Sequence, residues 1–229
     1  MPTRPLFTRI FGGFCLSLLL ISASDAATFT LKAIEGLPEG VSSEVAGVLN
    51  PQGYEIAGEK GAVAKIWLTQ SSPIKADFKP TLSVKYPFES GEFLGAMEVV
   101  KGTKFTDFRG QTVKPGVYTL RYGKQPVDGN HVGTSELADF ILALPASQDA
   151  DPKPIEKPKD LAKKSAKSVS SNHPAIFSLQ PAEEAPEEAE LVHEEKDEFW
   201  ILNVAATGTV DNEKQAVPLR LVVIGHAKE

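Results

Sequence analysis

The sequence predicts an all-β protein: an antiparallel β-sandwich, immunoglobulin-like or transthyretin-like, with one short helix in a connector. Apolar and polar residues alternate over short runs, which is the pattern of strands that bury one face. Gly, Pro and Asn separate these runs, and helical periodicity is scarce. Short strands joined by tight turns bury their apolar faces well between two packed sheets. The predicted strands are residues 28–33, 53–57, 63–70, 93–100, 116–122, 138–144, 175–179, 198–206 and 216–226.

The alternation also assigns faces within single strands. Tyr118, Leu120 and Tyr122 fall on one side of their strand, and we expect that aromatic side to face the core. In the last strand the apolar residues at 217, 219, 221 and 223 share a face. Pro218 lies between them and cannot donate to a neighbouring strand, so it favours an edge position or a strand start.

The first residues are typical of an export signal. Arg4 and Arg9 precede a short apolar run, and small residues at Ser24 and Ala26 suit a signal peptidase. We therefore expect residues 1–26 to be a signal peptide and the mature chain to be periplasmic or extracellular. No later segment reaches the roughly 20 apolar residues that span a bilayer, so the sequence predicts no stable membrane insertion after cleavage.

The composition excludes several classes of function. The one cysteine, Cys15, lies inside the predicted signal, so the mature chain has no disulfide and no thiolate chemistry. The formal net charge is −6, and no basic stripe with interleaved aromatic residues occurs, which argues against nucleic-acid binding. No cofactor motif occurs, and we predict no cofactor.

The mature chain divides into three parts. Residues 27–146 form a β-rich segment, and residues 147–174 form a Pro- and Lys-rich connector that contains a short helix beginning near Pro158. Residues 175–229 supply strands that we expect to complete the same sandwich. The run of carboxylates at 181–198 predicts a solvated acidic loop.

One long run resembles a known group of sequences. The stretch FRGQTVKPGVYTLRYGKQPVDGNHVGTSELADFILALPA, residues 108–146, is followed by a proline-rich connector, a helix and NHPA at 172–175. This arrangement resembles a family of uncharacterised bacterial exported proteins, and the similarity extends over residues 53–229. The resemblance implies a domain unit and brings no assigned activity.

The loop at 123–137 is the first candidate site. It is polar and lies between two predicted strands, and with Asp139 it gathers Asp128, Asn130 and His131 into a short span. Asp128-Gly129 is also a turn dipeptide, so a structured loop explains the same residues without chemistry. A calcium ion would take Asp128, Asn130 and a backbone carbonyl, although the spacing matches no EF-hand.

A hydrolase or metal-dependent enzyme centred on Asp128, His131 and Asp139 is the alternative function. Nucleophilic catalysis would use Ser135 or Thr134 beside His131, with a carboxylate orienting the imidazole. No GxSxG elbow and no HExxH motif occur, and the histidines are scattered.

Trp67 is the second candidate. It shares a strand face with Lys65 and Thr69, opposite Ile66 and Leu68, so it is either an outward aromatic that meets a partner or one that is covered by a loop of its own domain.

The missing catalytic signature and the predicted sandwich together favour an exported binding or interaction module. The expected partner is a cell-envelope protein or glycan, and catalysis is less favoured. The candidate binding residues are Asp128, Asn130, His131, Asp139 and Trp67.

Overall fold

A computed structural model describes residues 28–126 and 136–227 of the chain. The predicted signal, residues 1–26, lies outside these residues. The strands are β1 (Thr30–Glu35), β2 (Leu49–Gly58), β3 (Gly61–Thr69), β4 (Ser72–Pro73), β5 (Phe93–Val99), β6 (Phe105–Thr106), β7 (Thr112–Val113), β8 (Gly116–Lys124), β9 (Asp139–Pro145), β10 (Ile176–Gln180), β11 (Glu190–Glu194), β12 (Phe199–Val210) and β13 (Glu213–Ile224). The helices are α1 (Ser43–Ala46) and α2 (Pro158–Ser165), with single 3₁₀ turns at Ala146–Gln148 and Ala166–Ser168.

The prediction of an all-β protein is confirmed, and the strands form one large curled sheet and one two-stranded sheet. The order in the large sheet is β1-β2-β3-β5-β8-β9-β10-β13-β12-β11, and β4 pairs in parallel with β12. All other neighbours in this sheet are antiparallel. The curled sheet has the form of half a barrel.

Strand β10 is the corner of this sheet. Its first residues, 176–178, pair with β9, and Leu179 and Gln180 pair with β13. One strand therefore leaves the first part of the sheet and enters the second, which is how a sheet folds over its own core. The strands after residue 175 thus join the same sheet as those before residue 146.

The core lies on the concave side of the sheet. The predicted inward residues Tyr118, Leu120 and Tyr122 are all buried there. The alternating residues of β13 behave in the same way, since Val217 and Leu219 are buried while Pro218 between them is partly exposed. The β12–β13 hairpin turns through Asp211 and Asn212, which both have positive φ, as a two-residue turn of type I′ requires.

The connector is fastened to the convex side of the sheet by Arg121. This side chain is fully buried and pairs with Asp149, with Nε 2.6 Å from Oδ2 and Nη2 3.2 Å from Oδ1. It also donates to the carbonyls of Gly91 and Asp151. A buried guanidinium that has all these acceptors is stable only with the connector in place, so residues 146–157 are part of the fold.

Helix α2 begins at Pro158, as predicted, and places Leu161 and Ser165 in the interior. The Ser165 hydroxyl lies 2.9 Å from the carbonyl of Ala143 on β9, which ties the helix to the sheet. Among the residues that the structure describes, no helix has the length and hydropathy needed to cross a membrane.

The acidic stretch at 181–198 is not a loop throughout. Residues Glu190–Glu194 form β11, an edge strand paired with β12, and His193 stacks on Trp200 with ring centroids 4.4 Å apart. The prediction of a loop from composition is therefore wrong for residues 190–194, because pairing with β12 satisfies backbone groups that would otherwise bond to water.

Candidate binding groove

An Ω-like loop, residues 75–87, stands beside the β12–β13 hairpin. Its two ends meet, since the Lys75 N–H donates to the Pro87 carbonyl at 2.9 Å. Inside the loop Thr81 and Val84 form a turn, and Lys85 Nζ donates to the Thr81 carbonyl at 2.7 Å. Loops of this kind are held by their own internal contacts and are often functional. The tip carries Leu82, which is 95% exposed.

Asp139, a residue of the predicted site, anchors this loop. It is fully buried at the start of β9, where Oδ2 accepts the Lys85 N–H at 2.5 Å and Oδ1 accepts the Tyr122 hydroxyl. Burial raises the pKa of Asp139, and the hydrogen bonds from Tyr122 and from the Lys85 backbone oppose part of that shift. Both carboxylate oxygens are already engaged inside the protein, so Asp139 positions the loop.

Tyr86 fixes the loop against the sheet at the place where β10 and β13 separate. Its buried hydroxyl donates to the Gln180 carbonyl at 2.7 Å and accepts the Arg220 N–H at 3.0 Å. Burial raises the pKa of Tyr86, which keeps the hydroxyl protonated as a donor. The Tyr86 hydroxyl therefore bridges the backbone of Gln180 and Arg220, the last pair of the β10–β13 ladder.

Beyond this point one edge of β13 is open. Alternate residues of an antiparallel strand direct N–H and C=O to the same side. The Arg220 N–H points to Tyr86, away from β12, so Pro218, Ala216 and Lys214 direct their backbone groups to that side as well. Within the described residues, β10 pairs with β13 only at Leu221 and Arg220. In the part of the chain that the structure describes, no strand pairs with this side of β13 from 214 to 218, so the backbone there is open to pairing.

This open edge and the 75–87 loop form the two walls of a groove of about 620 Å³, which we call the β13 groove. Apolar side chains such as Phe78, Pro80 and Val217 contribute to its lining. The lining residues are 75–78, 80, 85–87, 182, 210–211 and 215–218. The volume lies within the range of about 300–1,000 Å³ that is usual for ligand-binding clefts.

A cluster of charged side chains lies at the neck of the loop. Lys75 Nζ is 2.9 Å from Glu89 Oε1, and the side chain of Lys124 lies within interaction range of Lys75. The hydrogen bond that Lys75 donates to Glu89 raises the pKa of Lys75. Burial and the neighbouring charge of Lys75 lower the pKa of Lys124.

Trp67 does not contribute to the groove. It is 3% exposed and is covered by the chain around α1, where its Nε1–H donates to the Gly36 carbonyl at 2.7 Å. Its ring packs so closely on Gly53 that a Cβ there would lie 2.5 Å from Nε1. The loop of its own domain therefore covers this residue, and the ring presents no surface to a partner.

The other predicted site residues, Asp128, Asn130 and His131, lie outside the described residues. So do Thr134 and Ser135, the nucleophile candidates. Among residues 28–126 and 136–227, no group of three or more His, Cys, Asp or Glu side chains could hold a metal ion.

Of four residues that line the groove or support it, two carried a signal in the sequence and two did not. Pro218 indicated a sheet edge, and Asp139 was selected by its place beside the polar loop. Tyr86 and Ala216 carry no local signal, because their roles depend on partners far along the chain.

Comparison with known proteins adds no assignment, since no family model, curated protein or solved structure matches this chain.

Proposed function

We propose that this protein is an exported interaction module that binds an extended polypeptide segment by strand addition to the open edge of β13. The observation that carries the proposal is the free backbone of residues 214–218, which faces a preformed groove. Peptide recognition by strand addition draws its affinity from main-chain hydrogen bonds and its selectivity from alternate side chains.

The edge offers a short run of pairing groups. Lys214 and Ala216 each present an N–H and a C=O, whereas Pro218 presents a carbonyl alone. The run from 214 to 218 spans roughly 13 Å at the rise of a strand, which suits a segment of about four residues. Lys214 and Pro218 also disfavour unspecific pairing at this edge, since a charged side chain and a proline both discourage aggregation through sheet edges.

The opposite wall supplies side-chain contacts. Phe78 and Pro80 line the groove, and Leu82 stands exposed on the same loop. Leu82 is therefore accessible to a segment bound in the groove. The loop is held by Asp139 and Tyr86 before any partner arrives, which lowers the entropic cost of binding.

The cellular location of the module is inferred from the sequence. The charged and apolar start of the chain supports export, so the expected partner is a polypeptide of the cell envelope. The passage of β10 from one half of the sheet to the other supports a sandwich-like arrangement. In it the two halves enclose the core, and the groove lies at one open edge.

Selection of random peptides against the protein, followed by affinity measurements with the best binder, tests the proposal. Ala216→Pro removes one N–H from the edge, and we expect it to weaken binding roughly tenfold, because a lost hydrogen bond of about 1.4 kcal/mol corresponds to that factor. The fold should tolerate proline at 216, because the backbone nitrogen of this residue points away from β12, as that of Pro218 does. Ala216→Ser keeps the N–H and is the matched control.

Peptides carrying a single N-methyl group provide a second test. Methylation of the peptide residues whose N–H groups face β13 should abolish binding. Methylation of the residues between them, whose N–H groups face away from β13, should not. Equal binding by both variants at 216, together with no alternation among the methylated peptides, would exclude strand addition.

A further inference from the structure

Strand β10 defines the direction in which a segment would lie beside β13. Its last paired residue, Gln180, lies opposite Arg220 in an antiparallel ladder. The carbonyl of the next residue, Pro181, accepts from Arg220 Nη1 at 3.0 Å, so the chain after Gln180 turns toward the Arg220 side chain and leaves the line of β10. A segment on the open edge of β13 would continue that line. Running antiparallel to β13, it would extend an existing ladder and pair more strongly than a parallel segment.

The backbone of β13 also defines the register of such a segment. Arg220 donates its N–H to the Tyr86 hydroxyl, so the alternate residues at 218, 216 and 214 direct their backbone groups to the same side. In an antiparallel ladder the residue opposite each of these exchanges hydrogen bonds with it. The N-terminal end of the segment therefore lies at Pro218, and its C-terminal end lies toward Lys214 and the hairpin turn.

The segment residue opposite Val217 would enter the apolar part of the groove. Residues that lie directly opposite each other in a ladder share a face, and Val217 is buried on the core side. The chain that leads into the loop crosses that same side, since a Cβ on Gly208 would lie 2.7 Å from Ile74 Cδ1 and 2.8 Å from Val217 Cγ2. Phe78 and Pro80 of the loop line the groove together with Val217.

The neighbouring positions of the segment have different surroundings. Gln215, the next residue of β13 on the core side, is polar and exposed, so an apolar side chain opposite it would bury little area. The remaining positions share the other face of the sheet with Ala216 and Lys214, which are both exposed. An apolar side chain is therefore favoured at one position, which lies near the N-terminal end of the segment.

We infer that the β13 groove selects a polypeptide segment that runs antiparallel to β13 and carries an apolar side chain opposite Val217. This inference rests on the proposed function and extends it, because it states the direction of the bound segment and the position at which its side chain decides affinity. The class of partner is an extended segment with an apolar residue near its N-terminal end, followed by residues of variable side chain.

Photo-crosslinking measures the direction of the bound segment. Two versions of a peptide selected from the random pool carry a benzophenone group at the N-terminal or the C-terminal end, and mass spectrometry locates the cross-linked residue of the protein. We expect the C-terminal label to reach residues 211–214. The N-terminal label should reach Tyr86 or Ala182, which line the groove at its other end. The reverse pattern would show a parallel segment and overturn the inference.

Substitutions along the same peptide locate the apolar position. The N-methyl series identifies the peptide residues that lie opposite 218, 216 and 214, and thereby the one opposite Val217. Replacing that side chain by Asn should weaken binding about tenfold, since partial burial of an aliphatic side chain contributes about 1.4 kcal/mol. The same change opposite Gln215 should weaken binding by less than about threefold.

A protein variant tests the apolar wall of the groove. Phe78→Ala should reduce the tenfold effect at the position opposite Val217 to about threefold, because less apolar area is then available to the peptide. Leu37→Ala removes a partly exposed leucine outside the groove and should preserve the effect. The peptide substitutions give the same information in the wild-type protein if Phe78→Ala proves unstable.

The failures of the two proposals can be told apart. If N-methylation alternates but the labels cross-link in the reverse pattern, the direction is wrong and the groove stands. If N-methylation alternates but Asn is tolerated opposite Val217, the apolar position is wrong and the groove stands. If no peptide binds, or none shows the alternation, the proposed function fails together with this inference.

Discussion

Replacement of Asp139 by alanine should destabilise the protein through the loop that it anchors. The carboxylate accepts from the Tyr122 hydroxyl and from the Lys85 N–H, and it is fully buried. Each donor left without a partner costs about 1–3 kcal/mol. Relief of the buried charge offsets part of this loss, so we expect the free energy of unfolding to fall by about 3 kcal/mol.

Urea denaturation of the wild type, Asp139→Ala, Tyr122→Phe and the double variant measures this effect. Tyr122→Phe should cost about 1 kcal/mol alone and much less in the Asp139→Ala background, because its partner is then absent. Asp139→Ala should also weaken peptide binding, since the groove wall is no longer fixed. A loss of binding at unchanged stability would refute the positioning role and favour direct ligand contact.

The pH dependence provides an independent check on the same residue. The folded pKa of Asp139 is raised by burial above its unfolded value of 3.8. The folded state therefore holds the proton more tightly, so this group stabilises the fold below pH 3.8 and loses that contribution as the pH rises through the folded pKa. Between about pH 3 and pH 7 the wild type should lose stability relative to Asp139→Asn, and an opposite slope would contradict the raised pKa.

Three further substitutions test the rest of the fold by the same denaturation assay. Arg121→Met should cost about 3–5 kcal/mol because it leaves buried Asp149 with only the partly exposed Lys164 ammonium, 3.6 Å away, as a cation, and the added change Asp149→Leu should recover part of that loss. Gly91→Ala should cost at least about 2 kcal/mol, since a Cβ there would lie 2.1 Å from the Ile155 carbonyl oxygen at φ +93°, while Gly102→Ala, at φ +89° with open space around it, should cost about 1 kcal/mol. Trp67→Phe should cost about 1–2 kcal/mol through loss of the hydrogen bond to Gly36, and a change under about 0.5 kcal/mol would show that this bond does not matter.

The sequence predicted the strands well because their signal is local. Alternation placed Tyr118, Leu120 and Tyr122 on the buried side, and Pro218 indicated an edge. The sequence predicted a helix beginning near Pro158, because proline suits a first turn and Lys residues suit the later turns; the helix ends at Ser165. Alternation does not determine whether a Trp on the outer face is exposed, and Trp67 is covered by a segment from elsewhere in the chain.

The candidate site was only partly predictable for the same reason. Asp139 was selected for its neighbours in sequence, yet its partners are Tyr122 and the backbone of Lys85, which lies more than fifty residues earlier. The acidic run at 181–198 was assigned as loop from composition, although residues 190–194 pair with β12.

By itself the sequence determined the β class and the core faces of the strands, because both depend on residue type and spacing within a few positions. Only the tertiary structure decided that β10 passes from one half of the sheet to the other and that the 75–87 loop stands against the free edge of β13. The groove exists because segments distant in the chain meet, and a contact between distant segments leaves no periodic trace in either of them.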